Sequence, residues 1–420
     1  MSKADFLKQF DSIAALFPIQ GKARAAIHNG LDFPTTRDEY WKYTRVAPIV
    51  STDYKQHAPD LNSVADFEIQ DGEFKTLVFV NGVYNSKLSD TMPEGVEVHS
   101  IAHASGEAKN EMLEHLGAYV SDKNHAFNAL NTSYFVDGAF IKVKEQTEVS
   151  DPIRILHVSH GEKQATNSRN LILVGKHAQV SFIHQFEGKE NDGAFTNALM
   201  ELVVEEEANA SYYLIENEGE QTSHINTTQV VQKRSSTCSV VTVTKTGKLV
   251  RNNLNFSITD QGCESNLYGI YFTSDQQHID NHTYADHQMP NCNSNELYKG
   301  VMADRSTGVF NGKIMVHRDA QQTNAFQSNQ NILLSDRASV NTKPELEIYA
   351  DDVKCSHGCT IGQLDEEALF YLQSRGLGKQ EASHLLVRAF ASEVLELIEV
   401  PELRSDIERF VERKFDKVDA

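Results

Sequence analysis

Basic residues are in short supply in this chain. Its 420 residues carry 39 Lys and Arg against 59 Asp and Glu, a formal net charge of −20. That balance argues against a nucleic-acid backbone as partner, because phosphate binding needs a basic footprint. The surplus of acids favours solubility without identifying a ligand. Cysteine is sparse as well. Cys238, Cys263, Cys292, Cys355 and Cys359 form an odd set, too few to staple so long a chain. A disulfide framework is therefore not expected, and a special thiol belongs to redox or metal chemistry. The ordinary role of a free cysteine is a small buried hydrophobe, expected of about three of the five. No apolar run approaches the roughly 18–20 residues that span a bilayer. Residues 1–10 (MSKADFLKQF) lack the apolar stretch of a secretory signal, so a cytoplasmic protein without membrane contact is expected. Nucleotide and hydrolase motifs are missing too. Gly247-Lys248 is followed by Leu249 and Gly378-Lys379 by Gln380, so no GxxxxGK[ST] occurs, nor a helix-opening GxGxxG, an HExxH or a GxSxG. The chain carries no recognisable means of hydrolysing ATP, and a non-enzyme is expected.

What is present falls into three parts, expected at 1–150, 151–350 and 351–420, more than one simple core organises. Phe6, Leu7, Phe10, Ile13, Ala14 and Phe17 recur at three- and four-residue intervals, the stripe of an amphipathic helix that Pro18 should end. Further helices are expected near 107–116 and 126–131, with 77–81 (LVFVN) as an early strand. From about 153 to 349 the chain becomes a succession of short β-branched runs separated by small polar turns. Turn clusters open at Gly175, Glu206, Lys233, Asp260, Asp304 and Asp336, at spacings of 31, 27, 27, 44 and 32 residues. The long interval is read as holding an insert, 275–290. A loose period near thirty with few helix signals predicts a solenoid of β coils, with a long antiparallel β domain as the rival.

The tail returns to helix. Asp365 can cap a helix whose first turn holds Glu366 and Glu367, and Gly376 is placed to stop it. Ala382, Leu385, Leu386, Ala389, Phe390, Val394 and Leu397 mark a second helix. Pro401 opens a third with Leu403, Ile407, Phe410 and Val411 on one side. These stripes either pack on one another or form a docking platform for a partner.

Two polar constellations carry the chemistry. In Lys354-Cys355-Ser356-His357-Gly358-Cys359, two thiols and an imidazole lie within five residues. Thiolates suit iron, zinc and copper(I), and imidazole accepts iron. On a strand, Cys355, His357 and Cys359 would share a face. Three ligands complete neither a structural zinc site nor a stable iron–sulfur cluster, which normally wants four thiolates. The motif fits an open, shared or transient site; its bland alternative is a tight turn with ordinary buried thiols. The second constellation, 277–292, holds His278, Asp280, His282, Asp286 and His287 at spacings that match no known ligand pattern. His278 and His282 could share a strand face, with His287 on the other. Satisfied polar side chains in a solenoid turn are the expected account.

Residues 343–397 (KPELEIYADDVKCSHGCTIGQLDEEALFYLQSRGLGKQEASHLLVRAFASEVLEL) resemble the SufD branch of the SufB/SufD family of iron–sulfur assembly proteins. The stretches DHQMPNCNSNELYKGVMADRSTGVFNGKIMV (286–316), QQTNAFQSNQNILLS (321–335), EYWKYT (39–44) and LVFVNG (77–82) are similar to the same family. The VKCSHG and FYLQSRG strings are the specific ones. SufB-like chains share FY-x-x-SRG but carry an acidic, histidine-containing variant in place of VKCSHG. Cys359 stands where many relatives have alanine, which adds a thiol to the motif.

The resemblance implies a mainly β protein, a right-handed parallel β-helix flanked by N-terminal and C-terminal helical regions. It implies a non-ATPase scaffold that pairs with a SufB-like subunit through the β-helix, and C-terminal helices that dock a SufC-like ATPase. Phe370, Tyr371, Ser374, Arg375 and Gly376 would lie at that dock. Cys355 and His357 correspond to the family's interface cysteine and histidine. They would face a transient cluster shared with the SufB-like chain, with Cys359 as a further ligand and no permanently bound cofactor. A homodimer is the state considered for the isolated chain. The rivals are a self-sufficient homodimeric SufB-like scaffold and a β-solenoid enzyme acting on acidic polysaccharide. The second would need export and a basic groove, against a charge of −20.

Overall fold

A computed structural model describes residues 1–58, 74–120, 125–189 and 192–414. Between Lys75 and Gly362 the chain winds between two sheets, one of ten strands and one of nine. From Ile153 onward successive strands alternate between the sheets, so each strand pairs in parallel with the one a full coil later. This is a parallel β-solenoid, as expected. The advance per coil is 29 residues at Arg251–Asp280 and 31 at Glu296–Gln327.

The turns explain the period. At one edge His177, Glu207, Ser235, Asn291 and Gln322 have φ of 58°, 55°, 55°, 59° and 59°. This left-handed conformation reverses the chain in few residues. The amide of each turn donates to a carbonyl of the next coil, as from Glu207 to Arg234 at 2.9 Å and Asn291 to Gln321 at 2.9 Å. At the opposite edge Asp275 and Asp304 have φ of 54° and 55°. The turn series therefore changes edges between Asp260 and Asp304, and the long interval is one and a half coils. The expected insert is a turn followed by an ordinary strand, His278–His287. Its polar composition disguised it, because its outward face is covered by the N-terminal segment.

Helices cover both outer faces. Phe6, Phe10, Ile27, Phe127 and Tyr134 pack on Ala165, Phe195, Ile225 and Leu249 of the nine-stranded sheet. On the ten-stranded sheet, Val387, Ala391, Val394, Leu403 and Ile407 meet Ile183, Tyr213, Val241, Ile270 and Val301. Strands Ala165–Val174, Phe195–Val204 and Ser223–Gln232 are consequently buried at every position, which erases the in–out alternation of a one-sided sheet. The C-terminal layer is also tied electrostatically, by Lys245 Nζ to Asp406 Oδ2 at 2.6 Å and by Lys299 Nζ to the Phe390 carbonyl at 3.0 Å.

Local details depart from expectation in four places. Pro18 opens the helix Pro18–Asn29 and does not end one, since its fixed φ suits the first helical turn; the first helix stops at Lys8. Strand Lys75–Val80 pairs with Ile153–Ser159, so the solenoid begins before residue 151. It also continues past 350, because Val353–Gly362 is its last strand. In helix Lys379–Leu395 the buried stripe is Ala382, Ser383, Val387, Ala391, Val394 and Leu395, whereas Leu385 lies in solvent. Asp365 does cap Glu366–Ser374, accepting from the Glu367 and Ala368 amides. Among the described residues, no helix is long and apolar enough to cross a membrane.

The two ends of the solenoid differ. At the first, the edge strands Val83–Tyr84 and Val96–Ser100 run antiparallel to their neighbours Lys75–Val80 and Ala139–Val143. At the other, Ser339–Ile348 and Val353–Gly362 are the last strands of their sheets, each with one edge unpaired among the described residues.

Candidate functional site at the open end

The KCSHGC motif lies on that last strand. Cys355, His357 and Cys359 stand in register with Ala325, Gln327 and Asn329, all three of which are buried on the inward face. Alternation puts the two thiols and the imidazole on that face too. Among the described residues no further coil lies ahead of them, so His357 and Cys359 are exposed although they point inward. Cys355 is half-buried against the apolar cluster of Ala285, Ile314, Val316 and Ala325, and burial pushes its thiol up. Cys359 Sγ is 2.8 Å from Thr342 Oγ1 on the other terminal strand and 3.8 Å from Asn329 Oδ1.

Alternate residues of a strand are separated by about 6.5–7 Å along its axis. Neighbouring donors, Cys355 with His357 or His357 with Cys359, can therefore serve different atoms of one cluster, but the three cannot surround one ion. Among the described residues, no group of three or more His, Cys, Asp or Glu side chains is placed to hold a metal ion. Any metal bound here needs donors from another molecule.

Beneath His357 runs a polar column that sequence reasoning missed. Gln327 Nε2 donates to Glu296 Oε2 at 2.7 Å, and the Thr283 hydroxyl donates to Glu296 Oε1. Glu296 is buried with no cation beside it among the described residues, and burial pushes its carboxyl up to about 7. Gly312 makes room for the Gln327 amide, since a Cβ there would lie 2.3 Å from Gln327 Nε2. The spacing of Glu296 and Gln327, 31 residues, is one coil and was the available signal.

The second constellation is structural, on a strand and not in a turn. His278, Asp280 and His282 face outward beneath EYWKYT. Asp280 Oδ2 accepts from Thr44 Oγ1 at 2.5 Å and from Arg251 Nη1 at 2.6 Å, while His282 Nε2 is 3.0 Å from Oδ1. Thr44 Oγ1 is also 2.8 Å from His278 Nε2. Arg251 donates to the Tyr40 carbonyl at 2.9 Å, and its guanidinium lies 4.1 Å from the Trp41 ring centre. His287 points the other way, into the interior, with Nε2 2.9 Å from Ser294 Oγ; Asp286 meets His317 at the surface, 2.8 Å away. Cys238, Cys263 and Cys292 are buried in the main core.

The residues expected at a dock lie on helix Glu366–Ser374, which buries none of its side chains. Phe370 is 73% exposed and Tyr371 56%, far from the usual fate of aromatic rings. Arg375 Nη2 donates to Tyr371 Oη at 3.2 Å, Ser374 Oγ donates to the Tyr371 carbonyl at 2.7 Å, and Gly376 ends the helix at φ 98°.

Known proteins share this architecture's sequence. Residues 157–390 match the SufBD core domain of the SUF system for iron–sulfur cluster assembly, and residues 11–155 match the SufBD protein N-terminal region. An iron–sulfur cluster assembly SufBD family protein of Synechocystis is 30% identical over 402 residues, covering 92% of this chain and 88% of that one. The chloroplastic protein ABCI7 of Arabidopsis thaliana is 31% identical, covering 90% and 82%. The iron–sulfur cluster assembly protein SufD of Escherichia coli is 28% identical, covering 89% and 87%. The chain, with its solenoid and its open-ended VKCSHG strand, belongs to the SufB/SufD family of iron–sulfur cluster assembly proteins.

Proposed function

We propose that this chain is the SufD-type, non-ATPase scaffold of an assembly complex. A SufB-like chain covers its open end, and a SufC-like ATPase docks on helix Glu366–Ser374. The observation that carries the reading is a coincidence at one end of the solenoid. Two strand edges, unpaired among the described residues and of the kind that recruits partner strands, frame the row Cys355, His357 and Cys359. A partner that extends both sheets buries that row and supplies the missing donors. The transient cluster then forms between the chains, with iron and sulfide as cargo. Imidazole binds iron less firmly than thiolate and in a pH-sensitive way, which suits a cluster that must leave.

The test is co-expression with SufB-like and SufC-like proteins, capture through this chain, and assay of stoichiometry, iron and sulfide. His357→Ala should leave complex formation intact and cut cluster yield about tenfold or more, the scale for losing a ligand-shell group. Equal yields would remove His357 from assembly. Reconstitution of the chain alone decides the rival reading, since a homodimer that builds clusters unaided needs no SufB-like partner. For the dock, Phe370→Ala should weaken ATPase binding by about tenfold or more, as loss of an aromatic hot spot does. Calorimetry of the purified pair measures it, and unchanged affinity would place the ATPase elsewhere.

A further inference from the structure

Gln327 is 4% exposed, and its Oε1 is buried without a hydrogen-bond partner although its Nε2 is bound to Glu296. A buried acceptor left open is costly, and such an atom in a native interior calls for an explanation. Its position supplies one. Gln327 stands in register with His357, and both project inward from adjacent parallel strands. Such neighbours are about 4.8 Å apart, within reach of an amide and an imidazole. Glu296 and Gly312 fix which way the amide points, the first by accepting from Nε2 and the second by leaving it space. The open carbonyl oxygen is thereby left for the next strand. Cys355 and Cys359 offer no such contact to the ring, because they lie over Ala325 and Asn329.

We propose that Gln327, oriented by Glu296, is a positioning residue for His357: its carbonyl oxygen accepts one imidazole N–H and leaves the other ring nitrogen unprotonated toward the open end. This rests on the assembly reading above. A histidine that ligates metal through one nitrogen commonly donates the other N–H to an oxygen acceptor, which fixes tautomer and ring orientation. Here the acceptor comes from the preceding coil of the same chain, so the ligand is set before the partner arrives.

The experiment uses the full chain, labelled with nitrogen-15 histidine, in its complex with the SufB-like and SufC-like proteins and without iron. Nitrogen-15 ring signals separate the two neutral tautomers, and His357→Ala assigns the signal. Wild-type His357 should hold one dominant tautomer. Gln327→Met should give a mixture and lower cluster yield about tenfold or more. Because that variant strands Glu296, the exchange of both residues (Glu296→Gln with Gln327→Glu) is the second arm. It keeps shape and pairing and should restore the single tautomer and the yield. The same tautomer mixture in wild type and Gln327→Met overturns the proposal. Should His357→Ala leave yield untouched, the assembly reading falls, and the tautomer comparison alone then upholds or overturns the pairing.

Discussion

Asp280→Ala is expected to cost about 3–5 kcal/mol of stability, the scale for removing one partner of a buried ion pair. Asp280 is 1% exposed, and its carboxylate is the common acceptor for Arg251, Thr44 and His282. Burial alone would raise its pKa, but Arg251, His282 and the Thr44 hydroxyl more than reverse this and hold it far below the usual carboxylate range. A depressed carboxylate contributes stability above its unfolded value near pH 4, lost only as the pH falls through the lower folded value. The ion pair should therefore persist through mild acid. Without the carboxylate, Arg251 keeps its positive charge in a site that is 2% exposed. Guanidinium denaturation gives the loss, and proteolysis should open the segment around Trp41 and Thr44, which the ion pair pins to the sheet. Asp280→Asn keeps the shape and one acceptor and should lose less, about 1–3 kcal/mol. A loss under about 1 kcal/mol for the alanine variant would mean that Arg251 regains water without disturbing the fold.

Glu296→Gln should act in the opposite direction. Burial raises its carboxyl from 4.5 to about 7. Below pH 4.5 both folded and unfolded chains hold the proton, and its contribution to stability is fully present. As the pH rises towards 7 the unfolded chain releases its proton first, and folding loses stability by linkage. Above pH 7 the accumulated loss is about 3 kcal/mol at 1.36 kcal/mol per pH unit. The glutamine variant does not titrate and keeps an oxygen acceptor for Gln327. It should match wild type near pH 4.5 and exceed it by about 3 kcal/mol at pH 8. Denaturation midpoints at the two pH values measure the difference; one that does not grow with pH would show that Glu296 stays charged in the fold.

Much of this molecule is legible in one dimension because the solenoid repeats. The turn clusters at Gly175, Glu206 and Lys233 coincide with turns at one edge, and the alternation in KCSHGC places its donors on one face. Asp365 and Gly376 mark their helix as caps do. What stayed hidden has a physical cause. The strand His278–His287 reads as an insert because its outward face is satisfied by a segment more than two hundred positions earlier, as in the contact of Thr44 with Asp280. Glu296 and Gln327 read as surface residues until the coil length is known, since only the register brings them together inside. The exposure of His357 depends on where the coils stop, and local composition does not mark that point.

The last strand and the exposed helix are joined by residues 363–365 alone. Three residues span at most about 10–11 Å when fully extended. Leu364, in the middle of this tether, is itself packed against the cluster that holds Val301 and Val387. A partner that swings helix Glu366–Ser374 by more than a few ångströms must first pull Leu364 from its seat, and then peel Gly362, Ile361 and Thr360 from Ile332, Asn331 and Gln330. The unzipping would begin at Gly362 and travel through Cys359 towards His357. Any displacement of that helix would therefore be felt first within a few residues of the thiol and imidazole.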